Sequence, residues 1–214
     1  MCRVSLLAVF LKHFKQSMLS AFKKYIQNKV NITDEQFDHI SNSLQSKKIK
    51  KDTLLLREGD VCSQVFFVSK GLLRAYTIDT NGKEHIIQFG PEDSWVSDRN
   101  SFYFNLPSMF YIDAVEDSEV IYISKEFFEK AEKIIPDFNS FTVMILHNSI
   151  RFMQRRISLL LGATAEQRYL DFIQLYPSLT LRVPQWMIAS YLGITPESLS
   201  RVRKELATKN FKPH

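Results

Sequence analysis

Four polar side chains near the carboxyl end, Glu197, Ser198, Arg201 and Lys204, recur at i, i+1, i+4 and i+7. On a helix that spacing turns them to one side, while Leu199, Val202 and Leu206 fall on the other. An arginine fork donates two hydrogen bonds to guanine O6 and N7, and a carboxylate accepts from cytosine N4. Glu197 and Arg201 are therefore the candidate base-reading pair. Lys204, with Arg182, Gln185, Thr195, Ser198 and Lys209, offers the cations, hydroxyls and amide that meet phosphates and orient a protein on a duplex without reading sequence.

Charge agrees with that chemistry. Of the net +5, residues 151–214 hold ten Arg and Lys against Glu166, Asp171, Glu197 and Glu205, whereas residues 1–150 are nearly neutral. A basic module joined to a neutral one suits a polyanionic partner.

The elements that must position these groups are two short helices and a turn. Pro184 and Pro196 suit first helical positions, Thr195 is an N-cap residue, and Gly193 permits a tight turn. The spacing predicts helices over Pro184–Tyr191 and from Pro196 to about Thr208. Ile188, Ala189 and Leu192 of the first face Leu199, Val202 and Leu206 of the second. This is a helix-turn-helix pattern.

Upstream, Ile134, Phe138, Phe141, Ile145, Asn148, Phe152, Arg155 and Leu159 follow a 4-3 spacing, the seam of a long helix over 137–161. Phe138, Phe141, Ile145, Asn148, Phe152, Arg155 and Leu159 are expected to meet a second copy, with Asn148 fixing register. A second stripe (Leu146, Ile150, Ile157, Leu160) leaves an apolar face to cover the sheet. Earlier still, from Thr53, short apolar or alternating runs occur: Leu54–Leu56, Gln64–Val68, Leu72–Ile78, Lys83–Phe89, Met109–Val115 and Glu119–Ser124. Glu58-Gly59-Asp60, Lys70-Gly71 and Asp79-Thr80-Asn81-Gly82 separate them. Such spacing implies a closed or double-layered antiparallel sheet, with Asn81-Gly82 as a hairpin turn. Leu19 to Val30 reads as a helix, and Thr33 with Gln36 as the capping box of another. The lysines at 47, 48, 50 and 51 read as a solvated edge.

These motifs resemble the Crp/Fnr family of transcription regulators from about residue 18 to 210. The matches are Leu56-Arg57-Glu58-Gly59-Asp60, Val65–Val68, Lys70-Gly71, Asn81–Glu84 and the run from Ile188 to Arg201. The resemblance implies an α+β chain: a cyclic-nucleotide-binding-like antiparallel β-roll (18–136), a dimerisation helix (137–161) and a C-terminal helix-turn-helix domain (162–214) with a truncated or absent wing. It implies a cytoplasmic homodimer on a near-palindromic double-stranded operator, with RNA polymerase as a further candidate partner. Glu197 and Arg201 fall where the family's base-reading Glu and Arg lie.

Departures bear on the effector. Where cyclic-nucleotide binders carry Gly-Glu and then Arg-Ser or Arg-Thr, this chain has Ser97-Asp98 and Ser108-Met109. No arginine is present to compensate a buried phosphate, so cyclic AMP is not expected. Trp95, Asp98, Ser108 and Met109 are the candidate effector pocket, its ligand unknown or none. Two cysteines, Cys2 and Cys62, exclude an iron–sulfur sensor and a Cys₄ zinc site, and no metal or other cofactor is expected. No apolar run is long enough to span a membrane. Residues 1–17 read as an extension, with Met18 a candidate start. Nucleophile elbow, phosphate loop and metal-ligand pair are all lacking in the sequence, so an enzyme is not expected. The alternative reading is a ligand-binding regulatory module whose C-terminal helices hold a protein partner.

Overall fold

The computed structural model describes residues 18–210. The expected extension at 1–17 lies outside them. Contacts divide the chain into two units. Among the described residues, one holds 18–77 with Ile87–Met144, and the other holds Ile78–Ile86 with 145–210. That division cuts inside the long helix rather than at the expected 136/137 and 161/162 boundaries, and it sends a hairpin tip to the second unit.

The first unit opens with α1 over residues 18–27 and α2 (Asp34–Ser41), whose Thr33–Gln36 capping box forms as expected. Eight strands follow among the described residues: β1 (Gln45–Ile49), β2 (Leu54–Leu56), β3 (Val65–Lys70), β4 (Leu73–Ile78), β5 (Glu84–Gly90), β6 (Trp95–Val96), β7 (Tyr111–Ala114) and β8 (Ser118–Ile123). They make two four-stranded sheets, ordered β1-β8-β3-β6 and β2-β7-β4-β5. Their pairing is antiparallel, with Phe67 opposite Ile121 and Arg74 opposite Asp113. The fold is the expected α+β, with antiparallel sheets first and helices after.

Alternation along β4 and β7 buries Leu73, Ala75, Ile112 and Ala114 completely on one face. On the other face Arg74 and Asp113 form a buried two-pronged ion pair at 2.7 and 2.8 Å. The Arg74 guanidinium also lies 4.2 Å over the Tyr76 ring, which stacks on Tyr111. Charge, fork and ring together compensate a cation held out of water. Gly71, at φ +95°, makes a turn so close to Ser118 that a Cβ there would collide with it.

Two strands depart from the sequence pattern. The lysine-rich stretch forms edge strand β1, in which Ile49 alone is buried; its pairing with β8 holds it, not its own apolar content. β6 has two residues, too few to carry a period. Two helices were also outside the pattern: α3 (Arg99–Phe104), capped by Asp98, and α4 (Lys125–Ile134).

The second unit contains most of α5 (Phe138–Gly162), then α6 (Ala165–Leu175), α7 (Leu179–Arg182), α8 (Gln185–Leu192) and α9 (Pro196–Asn210). Its hairpin tip differs from a two-residue Asn-Gly turn. Of the turn residues Gly82 alone has positive φ, and Asp79 carbonyl accepts from Gly82 N–H. The Asp79 carboxylate accepts the N–H groups of Asn81 and Lys83, which favours a wider, bulged turn.

Candidate nucleic-acid interface

Helix α8 ends in a full Schellman arrangement. Gly193 adopts the left-handed region at φ 65°, its N–H bonds Ser190 carbonyl, and Ile194 N–H bonds Ala189 carbonyl at 3.0 Å. A side chain at 193 would also press on Leu160. Two arginines from elsewhere in the unit take carbonyls at this helix end: Arg168 donates to Leu192 O at 2.7 Å, and Arg156 to Tyr191 O at 3.0 Å. Cations at a helix C-terminus answer its partial negative charge. Arg156 also lies 4.1 Å over the Tyr191 ring. Burial pushes the Tyr191 and Tyr176 hydroxyls above the usual phenol range.

The turn then delivers α9. Thr195 Oγ1 accepts Ser198 N–H at 3.2 Å, the expected N-cap bond. Leu199 and Val202 are buried, as are Ile188, Ala189 and Leu192 of the facing helix. With that face inward, Glu197, Arg201 and Lys204 are all exposed on the outer surface of one helix. The Glu197 carboxyl is held below its usual range, first by its own backbone N–H, then by Thr195, with the Arg201 charge adding to both. The carboxylate is thus a hydrogen-bond acceptor on the same exposed face as the Arg201 guanidinium.

The flanking residues divide. Ser198 and Gln185 are half-buried and Thr195 is exposed but already bonded as a cap. Lys209 is committed inside the unit, its Nζ lying 2.9 Å from both Glu166 oxygens. Arg182 ends α7 and is half-buried.

Part of the expected dimer seam is engaged within the chain itself. Phe138 and Phe141 are buried, Phe152 packs against Tyr176, and Arg155 pairs with Asp171. Ile145 and Leu159 are half-buried, and Asn148, though exposed, lies on that same side of the helix. The opposite side carries Val143, Ile150, Met153, Ile157 and Leu160, all exposed, with half-buried Leu146 completing a strict 3-4 spacing. The stripe expected to cover the sheet is thus the more exposed of the two apolar faces. The signal was present in the sequence, but two overlapping stripes cannot be ranked without knowing which one the remaining helices cover.

Of the expected effector residues, Asp98, Ser108 and Met109 are joined by hydrogen bonds, and Trp95 packs among aromatic rings. Asp98 is buried, and its carboxylate accepts from Ser101 N–H (3.0 Å), Ser108 Oγ (2.9 Å) and Met109 N–H (3.0 Å). The Met109 side chain is 61% exposed. Trp95 belongs to an aromatic cluster with Phe22, Tyr25 and Phe67, its indole N–H donating to Tyr25. A hollow of about 250 Å³ in the first unit lies instead by β2 and the Asp60–Gln64 loop, with Cys62 in its wall. His85 bonds Asp79 at 2.9 Å, and no cluster of three metal-ligating side chains exists among the described residues.

Comparison with known proteins follows the same outline. A family model described as a cyclic nucleotide-binding domain matches residues 46–133. The anaerobic regulatory protein of Pasteurella multocida is 26% identical over 183 residues, 80% of this chain and 66% of that protein. The fumarate and nitrate reduction regulatory protein of Yersinia pestis is 26% identical over 193 residues, covering 84% and 76%. This chain thus spans about two thirds to three quarters of the length of these relatives. The solved structure of FixK2 from Bradyrhizobium japonicum superposes with a TM-score of 0.68 at 21% identity, covering 80% of this chain and 88% of that one. A CooA mutant from Carboxydothermus hydrogenoformans gives 0.65 at 18% identity, covering 84% and 82%. These two share the fold.

Proposed function

This chain belongs to the Crp/Fnr family of regulators, and from that premise we propose that it is a homodimeric transcription regulator that reads a near-palindromic DNA site. The observation that carries the reading is the outer face of α9, where Glu197 and Arg201 stand exposed on a helix seated by a complete turn and N-cap. In such a docking, Arg201 donates to guanine and Glu197 accepts from cytosine in the major groove. Lys204, Ser198, Thr195, Gln185 and Arg182 supply the phosphate contacts.

The dimer forms, in this reading, through the open stripe of α5. Its first positions are Val143, Ile150 and Ile157, and its second positions Leu146, Met153 and Leu160. β-branched residues at the first and Leu or Met at the second favour two parallel strands. Two reading heads on a parallel pair would address half-sites about 34 Å apart.

Cyclic AMP is not the effector in this reading. Asp98 already accepts three hydrogen bonds, and Ser108, which occupies the place of the family's arginine, offers a cyclic phosphate no charge. The regulator works without enzymatic chemistry, in the cytoplasm, with RNA polymerase as its further partner. No described helix is long and apolar enough to cross a membrane.

Selection of bound duplexes from a random library at about 150 mM salt, where phosphate contacts alone are weak, tests the reading. An enriched inverted repeat is the expected result. Sequence-blind binding that vanishes at that salt would favour a protein partner for α8 and α9.

A further inference from the structure

The hairpin tip that contacts assign to the second unit is fastened there by side chains from two helices. β5 is the outer strand of its sheet, so one edge of its backbone has no strand neighbour. Ser190, on α8, uses its hydroxyl in both senses: it accepts Ile86 N–H at 3.0 Å and donates to Glu84 carbonyl at 3.1 Å. Arg156, on α5, donates to Ile86 carbonyl at 2.9 Å and, through the same nitrogen, to Tyr191 carbonyl at 3.0 Å. Three backbone groups of Glu84 and Ile86 are thus satisfied by the helices that carry the reading head. One hydroxyl supplies the donor and the acceptor that a neighbouring strand would otherwise provide.

We propose that Ser190 and Arg156 are positioning residues, which fasten the edge of the Ile78–Ile86 hairpin to α8 and thereby set how α9 presents Glu197 and Arg201. The inference rests on the DNA-binding reading above and extends it to residues that touch no base. The route is short. Ser190 and Tyr191 lie in the last turn of α8, Gly193 is the bend, and Thr195 caps α9. A shift at the end of α8 is transmitted through the rigid Schellman turn to the start of α9, where Glu197 lies. Arg156 is half-buried, and its two carbonyl bonds hold the hairpin and the helix end at a common point. Because neither residue faces a phosphate in this reading, loosening them alters the geometry of reading rather than general attraction to DNA.

The test uses the full chain as wild type, Ser190→Ala and Ser190→Thr, with two readouts. Amide hydrogen exchange at Ile86 should accelerate about tenfold in Ser190→Ala, the order expected for one lost hydrogen bond, while Ile112 and Val120 amides stay unchanged. Ser190→Thr keeps the hydroxyl and should restore protection. On the selected operator, Ser190→Ala should bind about five- to tenfold more weakly, with non-specific affinity and salt slope unchanged, and Ser190→Thr should recover. Unchanged exchange at Ile86 in Ser190→Ala overturns the fastening. Faster exchange with equal or tighter operator binding overturns the positioning role. A wild-type chain that enriches no motif overturns the DNA-binding reading itself, while the exchange result still reports on the fastening alone.

Discussion

Lys209 Nζ sits 2.9 Å from both carboxylate oxygens of Glu166, tying the last turn of α9 to the first turn of α6. The lysine that spacing offers to a phosphate already has an anion. Removing it should therefore cost DNA binding less than its position on α9 suggests. Lys209→Ala should leave affinity within about 1 kcal/mol, the usual worth of an exposed pair. Glu166→Gln should release the lysine and steepen the salt dependence of binding by about one unit of slope. Affinity measured over a salt series for both variants checks this.

Arg201 has the opposite expectation. It is exposed, and its charge faces outward beside Glu197. Arg201→Ala should cost about 1–3 kcal/mol on the operator and relax discrimination at one base pair per half-site. If the selected consensus is unchanged in that variant, Arg201 does not read a base.

The two apolar faces of α5 make a sharp contrast in the proposed dimer. Ile157→Glu, on the open stripe, should convert a dimer to monomers in sedimentation analysis, because a desolvated charge at a seam position is strongly unfavourable. Asn148→Glu should remain dimeric. Phe152→Ala should instead lower the chain's own stability by about 1–3 kcal/mol, through lost packing on Tyr176.

The ion pair between Arg74 and Asp113 is buried on both sides. Asp113→Ala leaves a guanidinium in the sheet without its carboxylate and should destabilise by about 3–5 kcal/mol. Replacing both by well-packed apolar residues should cost much less. Denaturant unfolding of the single and double variants distinguishes these outcomes.

Acid should loosen the hairpin tip. Bonding to His85, then to Lys83 and Asn81 N–H groups, lowers the Asp79 carboxyl from its ordinary 3.8 to about 2. A depressed folded-state value stabilises above the unfolded one and is lost as protons bind. Amide shifts of Asn81 and Lys83 should therefore hold steady above pH 4 and move as pH falls through about 2. Asp79→Asn should abolish that titration.

Local chemistry was largely readable from the residues. Thr33 and Gln36 closed their capping box, Gly193 bent the chain, and Leu199 with Val202 turned inward because helical spacing leaves them no other side. The exposed face of α9 followed from the same spacing. Local patterns of this kind depend on neighbours within a few residues, so the sequence alone contains them. What the sequence could not rank was competition between distant partners. Only the packed chain showed that Phe152 and Arg155 are claimed by Tyr176 and Asp171, leaving Ile150 and Ile157 open. Likewise Lys209 is held by a glutamate 43 positions away, and Ser190 by backbone more than a hundred positions away. The physical reason is common to these cases: an apolar stripe or a polar group states what it needs, and the tertiary fold decides which partner supplies it.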